Sequence, residues 1–136
     1  MDKKIAETLI NNALKAAGQS YSPYSGFKVG AALLAKSGKI YTGANIESAS
    51  YTPTVCAERV AFFTAVHNGE REFCAIAIIG GKAGEVSDYC PPCGVCRQVM
   101  AEFCRPDFEI IMFNGSETKI KTLGELLPES FTKSNI

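Results

Sequence analysis

Little histidine, no net charge and no long apolar run mark this chain. Its 136 residues hold one histidine, and fourteen basic side chains offset fourteen acidic ones. A protein that grips nucleic acid through its phosphates carries a basic excess, so that role is disfavoured. Near-zero charge favours association over colloidal repulsion. No apolar run approaches the roughly 18–20 residues needed to span a bilayer. The opening stretch Met1 to Glu7 leads into an amphipathic pattern, not into a signal-peptide apolar block. These absences predict a soluble cytoplasmic chain with neither nucleic acid nor membrane as its partner.

What is present suffices for one core. The chain is 46% hydrophobic and 21% charged, with eight Phe and five Tyr, which excludes general disorder. The length predicts one domain over residues 1–136. Six cysteines need an account: Cys56, Cys74, Cys90, Cys93, Cys96 and Cys104. A disulfide framework needs an oxidising compartment, and nothing in the sequence points to secretion. Metal binding by some of the six is the better explanation.

Periodicity predicts a helix over Lys3–Ala17, with Ile5, Leu9, Ala13 and Leu14 at helical steps and Gly18 as the stop. Tyr21 to Gly26 reads as a loop. Phe27–Ala35 and Ile40–Asn45 read as strands joined by the tight turn Lys36 to Lys39. A polar loop to Thr54 precedes a helix over Cys56–His67. The apolar run Phe73–Ile79 reads as a buried strand, and Gly80 to Tyr89 as a loop. Pro91 and Pro92 suit the start of a helix that carries Cys93 and Cys96 and stops before Pro106. Strands over Phe108–Phe113 and Thr118–Thr122, a helical turn over Leu123–Leu127 and a polar tail complete the chain. The expected fold is α/β, three layers deep (α/β/α), with one mixed five-stranded sheet. The two crossovers are expected to make the middle strands parallel.

Two short strings carry the chemistry: Cys56-Ala57-Glu58 and Pro92-Cys93-Gly94-Val95-Cys96. Each opens a predicted helix. The Cys93–Cys96 spacing puts two thiols one turn apart on one face, which is metal-ligand spacing. A helix start supplies backbone N–H groups and a positive dipole end, which favour thiolates. Side chains two residues apart diverge by roughly 200° within a helix. Cys56 and Glu58 therefore converge only if Cys56 sits at the helix mouth. Three protein ligands would leave a vertex for water, the layout of a catalytic zinc; four would make the site structural.

The H-x-E…P-C-x-x-C signature of the zinc deaminases has a three-cysteine variant, and these strings resemble it. Further strings are similar to the small cytidine deaminases that form homotetramers. They are Tyr24-Ser25-x-Phe27-x-Val29-Gly30-Ala31-Ala32-Leu33-Leu34, Gly43-x-Asn45-Ile46-Glu47, Cys56-Ala57-Glu58-Arg59, Cys96-Arg97-Gln98-Val99 and Glu125-Leu126-Leu127-Pro128-x-x-Phe131. The resemblance implies one Zn²⁺ per subunit on Cys56, Cys93 and Cys96. It implies hydrolytic deamination of cytidine and deoxycytidine in pyrimidine salvage, with Glu58 as base and then acid. It places Asn45 and Glu47 on the ribose hydroxyls, Phe27 on the base and Ala57 among the substrate contacts. Phe131 matches an aromatic that enters a neighbouring subunit's site, so a homotetramer with shared active sites is implied.

Zinc held by three thiolates carries net negative formal charge and is a poor Lewis acid. His67, roughly three turns past Cys56, is too far along the helix to help. Arg59 is the candidate that withdraws charge from the sulfurs, assisted by the two helix starts. The bland readings are a surface His67, core packing for Cys74 and Cys104, and Cys90 as a fourth ligand that would make a non-catalytic zinc module. A redox C-x-x-C protein and a blasticidin S-type deaminase are further alternatives. The Asn45-Ile46-Glu47 ribose pattern favours the plain nucleoside over blasticidin S, and a Glu beside the sugar would repel the phosphate of a nucleotide.

Overall fold

A computed structural model describes residues 1–136. Helix α1 (Lys3–Ala17) is capped by Asp2, whose carboxylate accepts the Lys4 N–H at 2.8 Å. Strands β1 (Phe27–Ala35) and β2 (Ile40–Ala44) form the expected hairpin. Then follow α2 (Ala57–His67), β3 (Phe73–Lys82), α3 (Gly94–Phe103), β4 (Glu109–Phe113), β5 (Thr118–Thr122) and α4 (Leu123–Leu126). The tail expected to be merely polar closes in a 3₁₀ turn over Lys133–Asn135, capped by Thr132.

One sheet of order β2-β1-β3-β4-β5 holds the five strands. Alternation along the strands splits the core in two. Ala32, Ala75, Ala77, Ile79 and Ile111 face α1 and its Leu9, Ile10 and Ala13. Ala31, Leu33, Ile76, Ile78, Ile110 and Met112 face Ala61 and Phe62 of α2 and Met100 of α3. The architecture is therefore α/β/α, with α1 alone on one face.

The middle strands are not all parallel, contrary to expectation. β1 pairs antiparallel with β3, and only β3 and β4 pair in parallel. The α2 crossover does join strands of the same direction, β2 and β3. The hairpin, however, folds β1 into the space between them, because sheet order places β1 next to β3. β3 also runs three residues past Ile79, since β1 offers partners as far as Phe27, opposite Lys82.

Cys74 is exposed and is not a core residue. Leu34 pairs with Ala75 and Ala35 with Phe73, so Cys74 is the extra residue of a bulge. Cys104 is half-buried and caps the end of α3. His67 is exposed at the last position of α2.

Candidate active site

The two crossover helices start side by side, and their N-caps are both cysteines. Cys56 has extended backbone, φ −76° and ψ 154°, and its thiol makes no capping bond. That frees the sulfur to turn across the helix mouth, as the Cys56–Glu58 spacing requires. Cys93 caps α3, and its Sγ accepts the Cys96 N–H at 3.4 Å. Gly43 of β2 fixes where α2 begins: a Cβ there would run into the carbonyl oxygen of Ala57 and the N–H of Ala61. Arg97 fixes the approach to α3, donating to the Pro92 carbonyl at 2.8 Å and to the Leu126 carbonyl at 2.7 Å.

Three sulfurs meet as a result. Cys56 Sγ lies 3.6 Å from Cys93 Sγ, which lies 3.3 Å from Cys96 Sγ. All three fall within 4.8 Å of one another, and no fourth His, Cys, Asp or Glu joins them. Tetrahedral zinc–thiolate bonds of about 2.3 Å put sulfurs about 3.8 Å apart, so this donor set fits zinc with little adjustment. Cys90 stays outside the triangle, which removes the basis for a four-cysteine structural module. The third thiol likewise sets the cluster apart from a plain redox pair.

Electrostatics favour thiolate at Cys56. The hydrogen bond to Cys96 and the nearby Arg59 guanidinium bring the Cys56 thiol down to about 5, against the opposing effect of burial. Its partner Cys96 is pushed up, first by that same hydrogen bond and then by burial. Arg59 Nη2 donates to Cys56 Sγ at 3.5 Å, and the charge of Cys56 holds the guanidinium protonated. Arg59 thus lies against the thiol cluster. Its Nε is buried without a partner, so the group is held by the sulfurs and by packing.

Glu58 is only 3% exposed. Burial, aided by the negative charge on Cys56, pushes its carboxyl above the ordinary carboxylate range, while hydrogen bonds from Cys96 and the Cys93 backbone oppose this. A buried carboxyl beside a metal-binding cluster can take and return a proton.

A cleft of about 230 Å³ opens on this cluster, lined by Val29, Asn45, Thr54, Cys56, Glu58 and Cys90 among others. Ala57 also lines it, as the first residue of α2. Through Thr54 it adjoins a shallower depression of about 410 Å³ that holds Tyr24, Ser25, Glu47 and Tyr51. The largest depression, about 540 Å³ between α1 and the β1–β2 hairpin, is lined by other residues and lies apart from the thiol cluster.

Asn45, 9% exposed, is pinned by its own chain. Its Oδ1 accepts the Val29 N–H at 2.9 Å and the Ser20 hydroxyl, and its Nδ2 donates to the Phe27 carbonyl at 2.8 Å. One N–H of the amide remains free for a ligand. Glu47 Oε1 accepts the N–H groups of Tyr24 at 2.9 Å and Ser25 at 3.1 Å, and its Oε2 accepts the Ser25 hydroxyl. These bonds, the Ser25 hydroxyl foremost, hold the Glu47 carboxyl below its usual range. Phe27 is 40% exposed, and its ring stands over Gly80. Phe131 does not line the cleft of its own chain. Its carbonyl accepts from Gln98 Nε2 at 2.8 Å, and the residue is 64% exposed.

Residue patterns alone gave no reason to single out Ser20 or Thr54, and Ser25 and Arg97 entered only within strings that carry the family resemblance, with no role of their own. Ser20 and Ser25 act through backbone and hydroxyl bonds across the loop. Arg97 acts by tying two carbonyls together, and no spacing rule marks either role.

A family model described as the cytidine and deoxycytidylate deaminase zinc-binding region matches residues 3–112. The chain belongs to this family. A cytidine deaminase of Sporosarcina psychrophila is 47% identical over 131 residues, spanning 96% of this chain and 93% of that relative. The crystal structure of cytidine deaminase from Burkholderia pseudomallei superposes with a TM-score of 0.86 at 42% identity, covering 96% of this chain and all of that one. A blasticidin-S deaminase of Bacillus cereus is more distant, at 34% identity over 78% of this chain. The three-thiol cluster lies within the matched zinc-binding region and is positioned to hold the metal.

Proposed function

We propose that the chain hydrolyses cytidine and deoxycytidine to uridine and deoxyuridine with release of ammonia. Carrying this reading is the meeting of one buried carboxyl, Glu58, with three metal-binding thiols at the floor of a nucleoside-sized cleft. Cys56, Cys93 and Cys96 would hold the zinc, which would supply the Lewis acidity that makes water a nucleophile. Glu58 takes a proton from the attacking water as its oxygen adds to C4 of the ring. It delivers the proton to N3, so C4 becomes tetrahedral. It then relays a second proton to the exocyclic amine, which leaves as ammonia while the C4 carbonyl forms. One water enters and one ammonia leaves. Burial raises the proton affinity of Glu58, which favours the first transfer.

Asn45 and Glu47 hold the sugar, the first by its free N–H and the second by its remaining acceptor capacity. A carboxylate there disfavours a 5′-phosphate, so the nucleoside is preferred over the nucleotide. Ala57 contacts the base at the helix start, Phe27 packs on it, and Arg59 offsets the charge of the three sulfurs. Residues 1–136 act as one catalytic domain. Phe131, outside its own cleft, completes the site of a neighbouring chain in a homotetramer. Phe63 and Val95, exposed on α2 and α3, support such association. The setting is pyrimidine salvage in the cytoplasm.

The test is loss of ultraviolet absorbance with cytidine, CMP and blasticidin S, on wild type and Glu58→Gln. We expect turnover of cytidine, little with the other two, and a rate loss of about 10²–10⁴-fold in the variant with zinc retained. No change with cytidine, or full activity without the carboxyl, would overturn the assignment.

A further inference from the structure

One cysteine in the cleft is left over by the chemistry above. Cys90 lines the same cavity as Cys56, Glu58 and Cys93, yet its sulfur is not part of the metal-binding triangle. Its place is set from several sides. Pro91 and Pro92 stiffen the link to Cys93. A Cβ built on Gly80 would come within 3.0 Å of Cys90 Sγ, 3.0 Å of the Phe27 ring and 3.1 Å of Val29. The bare backbone of Gly80 thus allows three side chains to close over the end of β3. Two of them, Cys90 and Val29, line the cleft; Phe27 is the aromatic assigned to the base.

The thiol brings no charge to this wall. Burial first, and the charges of Glu58 and Cys56 next, push it up to about 12, so it is neutral at working pH. A neutral thiol behaves as a small, polarizable apolar group.

We propose that Cys90 is a specificity-determining residue: with Val29 and Phe27 it forms the apolar wall that sizes the ring end of the cleft. This rests on the deaminase reading above. The residue touches the substrate ring by packing alone, and its sulfur neither binds metal nor transfers protons.

Two measurements test it. In the first, Cys90→Ala and Cys90→Leu are compared with wild type for cytidine KM, kcat and zinc content. Leucine adds bulk to the wall and should raise KM about tenfold or more, a methylene in a hydrophobic pocket being worth about 10–200-fold. Alanine removes bulk and should change KM less, and both should keep one zinc per chain. In the second, the inhibition constant of uridine is measured on the same three zinc-loaded proteins. Cys90→Leu should raise it in step with KM, and Cys90→Ala should change it less. An unchanged KM in zinc-loaded Cys90→Leu, or an unchanged uridine inhibition constant in that variant, overturns the proposal while the deaminase reading stands. Wild type that turns over no cytidine removes the deaminase reading itself.

Discussion

Single side chains decide whether a three-thiolate zinc site can work. Arg59 is the one cation found against the sulfurs, 3.5 Å from Cys56. Replacing it by glutamine keeps the length and removes the charge. Arg59→Gln is expected to lower kcat about 10–100-fold, with a smaller change in melting temperature. Zinc content and thermal melts measured alongside kcat separate the two effects, and an unchanged kcat at full zinc would remove the role. Glu47 gives a pH prediction. Its carboxyl is held below its ordinary value by Ser25 and the Tyr24 and Ser25 backbone. A group depressed in the folded state adds stability above the unfolded value, near 4.5, and loses it as pH falls through the folded value. The difference in melting temperature between wild type and Glu47→Gln should therefore be full at pH 6–7 and shrink on acidification below that value. A pH-independent difference would show that the charge of Glu47 is not what closes the loop. The grouping of Cys56, Cys93 and Cys96 with Glu58 and Arg59 was legible in the sequence because each is tied to a neighbour by short spacing. Cys74 was misplaced because its apolar surroundings suggested burial, and a bulge is a property of pairing with β1, which local composition does not record.

Secondary elements place these groups, and their ends matter more than their middles. Both metal-binding segments are helix N-caps, so the donors are set by where α2 and α3 begin. Gly43 defines one of those starts through its contact with the Ala57 backbone. Gly43→Ala should force β2 and α2 apart and destabilise the protein by about 1–3 kcal/mol. A denaturant midpoint together with zinc affinity reads this, and both should fall; an unchanged midpoint would show that the contact relaxes freely. Element identity was largely legible, since Gly18, Pro92 and the hairpin turn punctuate the chain. Strand order was not. β1 and β3 are brought together by folding of the hairpin into the gap between parallel strands, a long-range pairing with no local signature.

At the scale of the whole molecule, Phe131 tests whether sites are shared between chains. Phe131 stands 64% exposed beside α3, and its own cleft lies elsewhere. If each cleft takes Phe131 from another chain, a Glu58→Gln chain and a Phe131→Ala chain complement each other. Phe131→Ala alone should lower kcat/KM by about tenfold, within the range for a lost aromatic contact. Dissociating and reassociating the two variants together should then give more activity than the mean of the two alone, because some mixed sites have both groups intact. Activity equal to that mean would place Phe131 outside any shared site.

The separation of the sulfur donors along the chain has a consequence for biosynthesis. Cys56 and Cys93 are 37 residues apart, and a helix and a strand lie between them. A ribosome exposes Cys56 well before its two companions emerge. The first thiolate must therefore wait as a lone, oxidisable group, and metal capture belongs to the closing stage of folding, after both crossovers have packed.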